Sequence, residues 1–330
     1  MGRPVVQLVA TGGTIAMTGS PARPALSGAE LVSAVPELDE LAELRVVQLS
    51  NVPGVNLDPP AMARAVNAAW EAVRADGAVG AVITQGTDTI EETAELARLT
   101  WDPDEPLVIT GAIRTGGSTG SDGPLNLLDA VRFAAAPEAR GLGAAVVLDG
   151  LAHPAGGVVK SHSWRSDAFA SPAPLAELRE GHVRLLRALG ALDRQPLVDP
   201  GRLAPMLLDT HVPIVAAAAG MDARPIDAVL EQDAAGLVLL ALGAGHLPEP
   251  MLPAVDRALA AGTPVVVCAR PAAGGTLERT YGFTGSETDL AERGVILAGM
   301  ASPWKARIRV LVALALGHDP RQLFTTDPQR

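Results

Sequence analysis

Short runs of apolar residues alternate with longer amphipathic stretches along most of this chain. Val5–Ala10, Arg45–Leu49, Ala78–Thr84, Pro106–Gly111 and Gly143–Leu148 have the length and β-branched content of strands. Between them, Ala61–Arg74, Asp88–Thr100 and Leu125–Ala135 carry helical spacing. Asp88 and the pair Glu91-Glu92 mark the start of the second, and Asp122-Gly123-Pro124 the start of the third. Repetition of this kind predicts a parallel-rich sheet flanked by helices, with right-handed crossovers.

From about Glu180 to Leu208 the period is lost and Arg, Asp, Leu and Pro accumulate, as in a linker. Alternation then resumes. Strands are expected at Pro213–Ala218, Gly236–Leu242 and Pro264–Ala269, and helices at Pro225–Glu231, Glu249–Ala261 and Pro303–Leu316. The predicted fold class is therefore α/β, with a larger N-terminal domain at residues 1–182, a linker at 183–211 and a smaller C-terminal α/β domain at 212–330.

Composition narrows the function. With 330 residues and 48% hydrophobic content, the chain can bury more than one core. Only 3% of residues are aromatic, so Ala, Val, Leu and Ile must fill those cores, as in sheets covered on both faces. The formal charge of -11 repels phosphate backbones and anionic lipid, so neither nucleic acid nor a membrane is an expected partner. No run approaches the ~18 apolar residues of a membrane span, and Val5–Ala10 is too short for an export signal. A cytoplasmic location is expected. The single cysteine, Cys268, lies in the apolar run Val265–Ala269 and reads as a small buried hydrophobe.

Three loops concentrate chemistry, and each follows a strand-like run. In an open parallel sheet such loops converge at the carboxyl ends of the strands, where ligands bind. The first is Thr11-Gly12-Gly13-Thr14. It could be a tight turn with capping threonines, a phosphate cradle or a nucleophile loop, although neither a P-loop Lys-Ser/Thr pair nor a full dinucleotide fingerprint follows. A threonine hydroxyl needs a nearby base to become a nucleophile, so the base must come from elsewhere.

Gln85-Gly86-Thr87-Asp88-Thr89 is the second loop. Thr87 or Asp88 could serve as an ordinary helix cap. In the functional reading, Asp88 binds the ammonium of an amino-acid substrate and the Thr87 hydroxyl pairs with a lysine. The third loop surrounds Lys160, in Gly157-Val158-Val159-Lys160-Ser161-His162-Ser163-Trp164. Lys160 and Lys305 are the only lysines in a chain that otherwise uses Arg, which singles them out. A lysine amine in a partly desolvated pocket beside a hydroxyl can act as a base, so Thr87 and Lys160 could form a relay. A Ser161 or Ser163 triad with His162 is disfavoured because no nucleophile elbow surrounds them.

These residues resemble the bacterial L-asparaginase/glutaminase family over essentially the whole chain. The resemblance is carried by Ala10-Thr11-Gly12-Gly13-Thr14-Ile15-Ala16 and by Ile83-Thr84-Gln85-Gly86-Thr87-Asp88-Thr89-Ile90-Glu91-Glu92-Thr93-Ala94. Gly111-Ala112-Ile113-Arg114 with Ser121-Asp122-Gly123-Pro124-Leu125-Asn126-Leu127, and then Lys305-Ala306-Arg307, continue it in order.

The resemblance implies hydrolysis of L-asparagine to aspartate and ammonia through an acyl ester on Thr14. Thr87 and Lys160 are the implied activating pair, Asp88 the ammonium ligand, and the N–H groups of Gly13 and Thr87 the oxyanion donors. Gly13, Gly54, Val55, Gly86, Thr87, Asp88 and Ala112 line the implied substrate site. His246 and Glu287 are its implied contributions from a neighbouring subunit, within a homotetramer built from two intimate dimers. His246 could equally be a surface or interface residue. No metal and no organic cofactor are implied.

Departures from the family pattern are specific. Gln85 stands where many members have His, and His246 where many have Asn. Met17–Leu26, which follows the first signature, is short and lacks the usual Tyr; Tyr281 is the only tyrosine. Val52-Pro53-Gly54-Val55-Asn56 replaces a usual Ser followed by Gln, leaving the backbone N–H groups of Gly54 and Val55 to meet a carboxylate. Hydrolysis of another primary amide, such as L-glutamine or D-asparagine, and amino-acid binding without turnover are the competing expectations.

Overall fold

The computed structural model describes residues 2–187 and 196–324. Residues 1, 188–195 and 325–330 of the expected domains and linker lie outside the described residues. The chain divides into two compact units, Met1–Ala204 and Pro205–Arg330.

Unit 1 is built on β1 (Val5–Gly12), the short ribbon β2 (Met17–Thr18) and β3 (Arg23–Pro24), then β4 (Glu43–Val52), β5 (Gly80–Thr84), β6 (Leu107–Thr110) and β7 (Ala144–Leu148). It continues with β8 (Leu151–Pro154), the ribbon β9 (Val159–Lys160) and β10 (Phe169–Ala170), and β11 (Ala176–Arg179) with β12 (His182–Leu185). Among the described residues, an eight-stranded sheet runs in the order β12-β11-β8-β7-β6-β5-β1-β4. From β4 to β7 the neighbours are parallel. Beyond β7 they are antiparallel, so the sheet is parallel-rich, as expected, with an antiparallel end.

The antiparallel end has a local cause. Asp149 and Gly150 both take positive φ, 51° and 74°, between β7 and β8. Two such residues make the tight primed turn of a β-hairpin, so the chain reverses instead of crossing over. Lys160 consequently sits on the separate β9–β10 ribbon, opposite Phe169, rather than directly after the fifth parallel strand.

Central strands are buried on both faces, which is why β5, β6 and β7 read as uninterrupted apolar runs. The helices of unit 1 are α1 (Gly28–Ser33), α2 (Leu38–Leu41), α3 (Pro59–Arg74), α4 (Ile90–Thr100), α5 (Gly123–Ala135) and α6 (Pro200–Met206). Helix α3 begins at Asp58, whose side chain accepts from the Ala61 N–H, and has Pro in its first turn, where no donor is missed. Helix α5 packs on β5, β6 and β7, while α3 packs on β1, β5 and α4. One unit 1 core gathers Val6, Leu8, Val82, Val108, Phe133 and Leu127 around α5.

Helix α6 and strand β12 fall inside the stretch whose lost period reads as a linker. Pro205, where the two units divide, lies in the last turn of α6, and its nitrogen cannot donate to the helix ladder.

Unit 2 holds a four-stranded parallel sheet of β13 (Ile214–Ala216), β14 (Leu237–Ala241), β15 (Val265–Ala269) and β16 (Ile296–Leu297), in that order. Its helices are α7 (Arg224–Leu230), α8 (Leu252–Ala260), α9 (Glu287–Arg293) and α10 (Pro303–Ala315). A core of Leu237, Leu239, Val255, Val265, Val267 and Leu290 holds it together. Among the described residues, no helix is long and apolar enough to cross a membrane.

Candidate active site

Strand order dictates where unit 1 can build a site. The chain leaves β1 toward β4 on one side, then crosses to β5 on the other and moves on to β6. Connections that depart in opposite directions open a crevice at the carboxyl ends of β1 and β5. The loops opening there are Gly12–Thr14 and Gln85–Thr89.

Glycine lets the backbones touch. A Cβ on Gly13 would come within 2.1 Å of the Gly86 nitrogen, and one on Gly86 within 2.4 Å of the Gly54 Cα. One on Gly111 would meet the Gln85 carbonyl oxygen at 2.5 Å. Loops from β1, β4, β5 and β6 are thereby stacked backbone on backbone. Side chains lash them together: Thr11 Oγ1 donates to the Thr84 carbonyl at 2.9 Å, Ser50 Oγ to the Thr11 carbonyl at 2.9 Å, and Thr89 Oγ1 to the Gly54 carbonyl at 3.1 Å.

Thr14 opens a one-turn 3-10 helix, Thr14–Ala16, directly after Gly13. Ile15 and Ala16 point into the core and anchor the turn. The Thr14 side chain is half-buried, and its hydroxyl makes no hydrogen bond among the described residues. Gly13 was expected to supply an oxyanion donor, and this requires correction. With φ at 84°, its N–H turns back and donates to the Val52 carbonyl at 2.9 Å. The next amide, that of Thr14, starts the 3-10 turn and so has no partner within it.

Thr87 and Asp88 do not cap the following helix. Thr89 occupies that position, without a side-chain bond of its own. Instead, the Lys160 amine donates to Thr87 Oγ1 at 2.9 Å and to Asp88 Oδ1 at 2.8 Å. Thr87 is buried, Lys160 mostly so, and Asp88 faces solvent with 55% of its side chain exposed. The cluster therefore has a covered side at Thr87 and an open side at Asp88.

Two further loops complete the picture. Gly54 and Val55 lie on a 3-10 turn, Gly54–Asn56, with Gly54 buried and Val55 exposed. The first amides of such a turn have no partner inside it. Ala112 is buried beside Gly111. Gln85 is also fully buried; its Oε1 has no protein partner among the described residues, and its Nε2 reaches Thr89 Oγ1 at 3.4 Å.

The residues that hold these loops include two, Glu91 and Asp122, that the sequence offers only as helix-start signals. Buried Glu91 accepts the Lys160 N–H on Oε1 at 3.0 Å, which ties the β9 ribbon to α4. Asp122 accepts from the Ile113 and Arg114 amides at 2.9 and 2.8 Å. Asn126 donates to the Gly111 carbonyl at 3.0 Å and accepts the Asp149 N–H at 3.0 Å. The signatures contained all three, but nothing in their spacing announced these bonds. Lys305, the other lysine, is buried in α10.

Unit 2 brings His246 and Glu287 together. The imidazole Nε2 lies 3.1 Å from Glu287 Oε2, and the ring makes edge contacts with Tyr281 and Phe283.

A family model described as asparaginase, N-terminal, matches residues 5–189, and one described as glutaminase/asparaginase C-terminal domain matches residues 211–325. The chain belongs to the asparaginase family. It is 35% identical to a probable L-asparaginase of Deinococcus radiodurans over 98% of this chain and 97% of that protein. It is 29% identical to L-asparaginase 2 of Bacillus subtilis over 97% of this chain and 85% of that protein. The crystal structure of a probable cytoplasmic L-asparaginase from Campylobacter jejuni superposes with a TM-score of 0.87 at 30% identity, covering 97% of this chain and 98% of that one. As a member of the asparaginase family, the protein is an amidohydrolase with the family's two-domain α/β fold.

Proposed function

We propose that this asparaginase hydrolyses the side-chain amide of L-asparagine to L-aspartate and ammonia, with Thr14 as nucleophile. The observation that carries the reading is the Lys160 amine hydrogen-bonded to both Thr87 and Asp88, on a loop in backbone contact with the turn that bears Thr14. The names of the Deinococcus, Bacillus and Campylobacter relatives, each an L-asparaginase, support the same substrate.

In this mechanism the Thr14 oxygen attacks the amide carbon and the carbonyl pair moves onto oxygen. The free amides of Thr14 and Thr87 receive that charge, in place of the Gly13 amide; such donors are worth roughly 2.7–4 kcal/mol each. The carbon–nitrogen bond then breaks, and the hydroxyl proton leaves with ammonia. Water adds to the resulting ester with its proton passing to the Thr87–Lys160 relay, and the ester bond to Thr14 breaks to release aspartate as that proton returns to the Thr14 oxygen. Asp88 meets the substrate ammonium on the open side, while the Gly54 and Val55 amides meet its carboxylate.

Unit 2 supplies its His246 group to the site of a neighbouring copy in a homotetramer. Large exposed apolar side chains at Tyr281, Phe283, Met300 and Trp304 support burial of that surface against a second copy. The Campylobacter relative's description as cytoplasmic supports the same location here.

Ammonia release from L-asparagine should vanish in Thr14→Ala and in Thr87→Ala while circular dichroism stays unchanged. Undiminished turnover in both would overturn the assignment. Mass spectrometry of the acid-quenched enzyme should find an acyl adduct on Thr14, which a protein that only binds amino acids would never form. Parallel assays on L-glutamine and D-asparagine decide amide preference, which the altered Val52–Asn56 loop leaves open to change.

A further inference from the structure

Behind the 3-10 turn that bears Thr14 lies a cavity that takes no part in the proposed amide chemistry. It measures about 200 Å³, and Ile15, Leu31, Val35 and Leu127, all members of the unit 1 core, form its aliphatic walls. Glycine keeps it open where the loop after β6 passes. A Cβ on Gly117 would meet nothing within 4 Å, and one on Gly116 nothing nearer than the Met17 carbonyl oxygen at 3.7 Å. Both glycines are exposed, so a small molecule can enter past them.

The chemistry of the wall selects the ligand. Among the described residues, Thr18 and Ser121 are the only side chains lining it that carry a polar atom, and none is charged. An amino acid is therefore excluded, since both its charges would lose water without gaining a partner. The Ser121 hydroxyl oxygen is buried and has no hydrogen-bond partner among the described residues. Buried hydroxyls are seldom left unpaired, and this one can both donate to a ligand and accept from it. An apolar cavity of about 150 Å³ suffices for benzene, so there is room here for one ring with a substituent.

Its position links the cavity to the nucleophile. Ile15 follows Thr14 directly and anchors its turn. Ser121 precedes Asp122, whose carboxylate holds the Ile113 and Arg114 amides beside Ala112. On its cavity side Ile15 has room where packed neighbours would hold it, and a bound ring would supply those contacts.

We propose that this cavity is an effector site for a neutral, single-ring molecule bearing one hydroxyl group, which pairs with Ser121, packs on Ile15 and steadies the turn that presents Thr14. The site is separate from the amide site and can be filled while an amino acid is bound there.

The probe is 4-fluorophenol, with fluorobenzene as its counterpart lacking the hydroxyl. Fluorine NMR of the intact enzyme should show saturable binding of 4-fluorophenol in the millimolar range or tighter, unchanged by saturating L-aspartate. Ser121→Ala should weaken 4-fluorophenol roughly three- to tenfold, the worth of one neutral hydrogen bond, and leave fluorobenzene unchanged. Val35→Phe, whose ring occupies the cavity, should bind neither. On the wild-type enzyme, saturating 4-fluorophenol should raise kcat for L-asparagine roughly threefold, the worth of about five carbon contacts on Ile15, and leave the Michaelis constant as it was.

Displacement of the probe by L-aspartate, or a raised Michaelis constant with kcat unchanged, would put the probe in the amide site and overturn the proposal. So would a wild-type enzyme with no saturable binding, equal loss of both probes in Ser121→Ala, or no change in kcat at saturation. Binding is read without turnover, so the titration tests the cavity even if L-asparagine is not the substrate or neither variant folds.

Discussion

The amine of Lys160 donates to the Thr87 hydroxyl across 2.9 Å, although the two residues lie 73 positions apart. The same nitrogen reaches Asp88 at 2.8 Å, so one amine organises the hydroxyl proposed to work on water and the carboxylate proposed to bind substrate. Lys160→Met should reduce kcat by roughly 10²–10⁴-fold, the usual range for a lost acid–base group. Lys160→Arg should not restore it, because a guanidinium does not give up its proton in a protein. Steady-state ammonia release on folded protein measures both, and a Met variant within tenfold of wild type would remove Lys160 from the mechanism.

The glycine stack gives a second prediction with its own control. At Gly86 the backbone angle is ordinary, φ -69°, so an added methyl group fails for lack of space alone: it would sit 2.4 Å from the Gly54 Cα. Separating the loops costs about 1–3 kcal/mol by the usual overpacking range and displaces Thr87 from its neighbours. Gly86→Ala should therefore unfold at lower denaturant and lose most of its turnover. Gly77→Ala, whose methyl would meet nothing within 4 Å, should lose a little stability through its positive φ and keep full kcat.

Much of this site could be read in the chain because its parts leave local marks. Strands buried on both faces leave continuous apolar runs such as Ala81-Val82-Ile83, and loops that must touch leave glycines at positions 13 and 86. The turn at Asp149-Gly150 left a mark too, an Asp-Gly pair between apolar runs, and it signals the hairpin that the alternation pattern obscured. Other features have no local mark. Glu91 holds the Lys160 amide across 69 positions, and the direction of the Gly13 N–H depends on a φ of 84° that Gly permits but does not require. Bonds between side chains and distant backbone follow no period, so Asp122 read only as a helix start and Asn126 only as part of a signature.

Stability should fall in mild acid because of His153. Its ring is buried on β8, with Nδ1 2.8 Å from Ser171 Oγ, and burial pulls its pKa down to about 4. The unfolded chain binds that proton near pH 6.5, so below this value protons favour unfolding. The stability present at neutral pH is lost progressively as pH falls from about 6.5 toward 4, by roughly 2 kcal/mol at pH 5. Urea titrations at pH 7 and pH 5 should differ by that much more in wild type than in His153→Gln, whose side chain does not titrate. Identical pH dependence in the two proteins would show that the ring is charged or exposed in the native state.

Cys268 should be chemically silent in the folded protein. It lies on β15, fully buried among aliphatic side chains, and burial pushes its thiol up to about 12 against the opposing charge of Arg309. Only the thiolate reacts, and at pH 8 it would form about one part in ten thousand of the population even if reagent could reach it. An aromatic disulfide reagent should therefore give no colour with native enzyme and one equivalent after denaturation, matching the single cysteine of the chain. Cys268→Ala should retain full kcat, since nothing in the proposed chemistry passes through β15. Cys268→Ser should keep kcat but lose about 1–3 kcal/mol, because its hydroxyl is buried where the thiol tolerated an apolar setting. Rapid labelling of the native enzyme would mean that the unit 2 sheet opens around β15, and hydrogen exchange at Val266 and Val267 would then be fast as well.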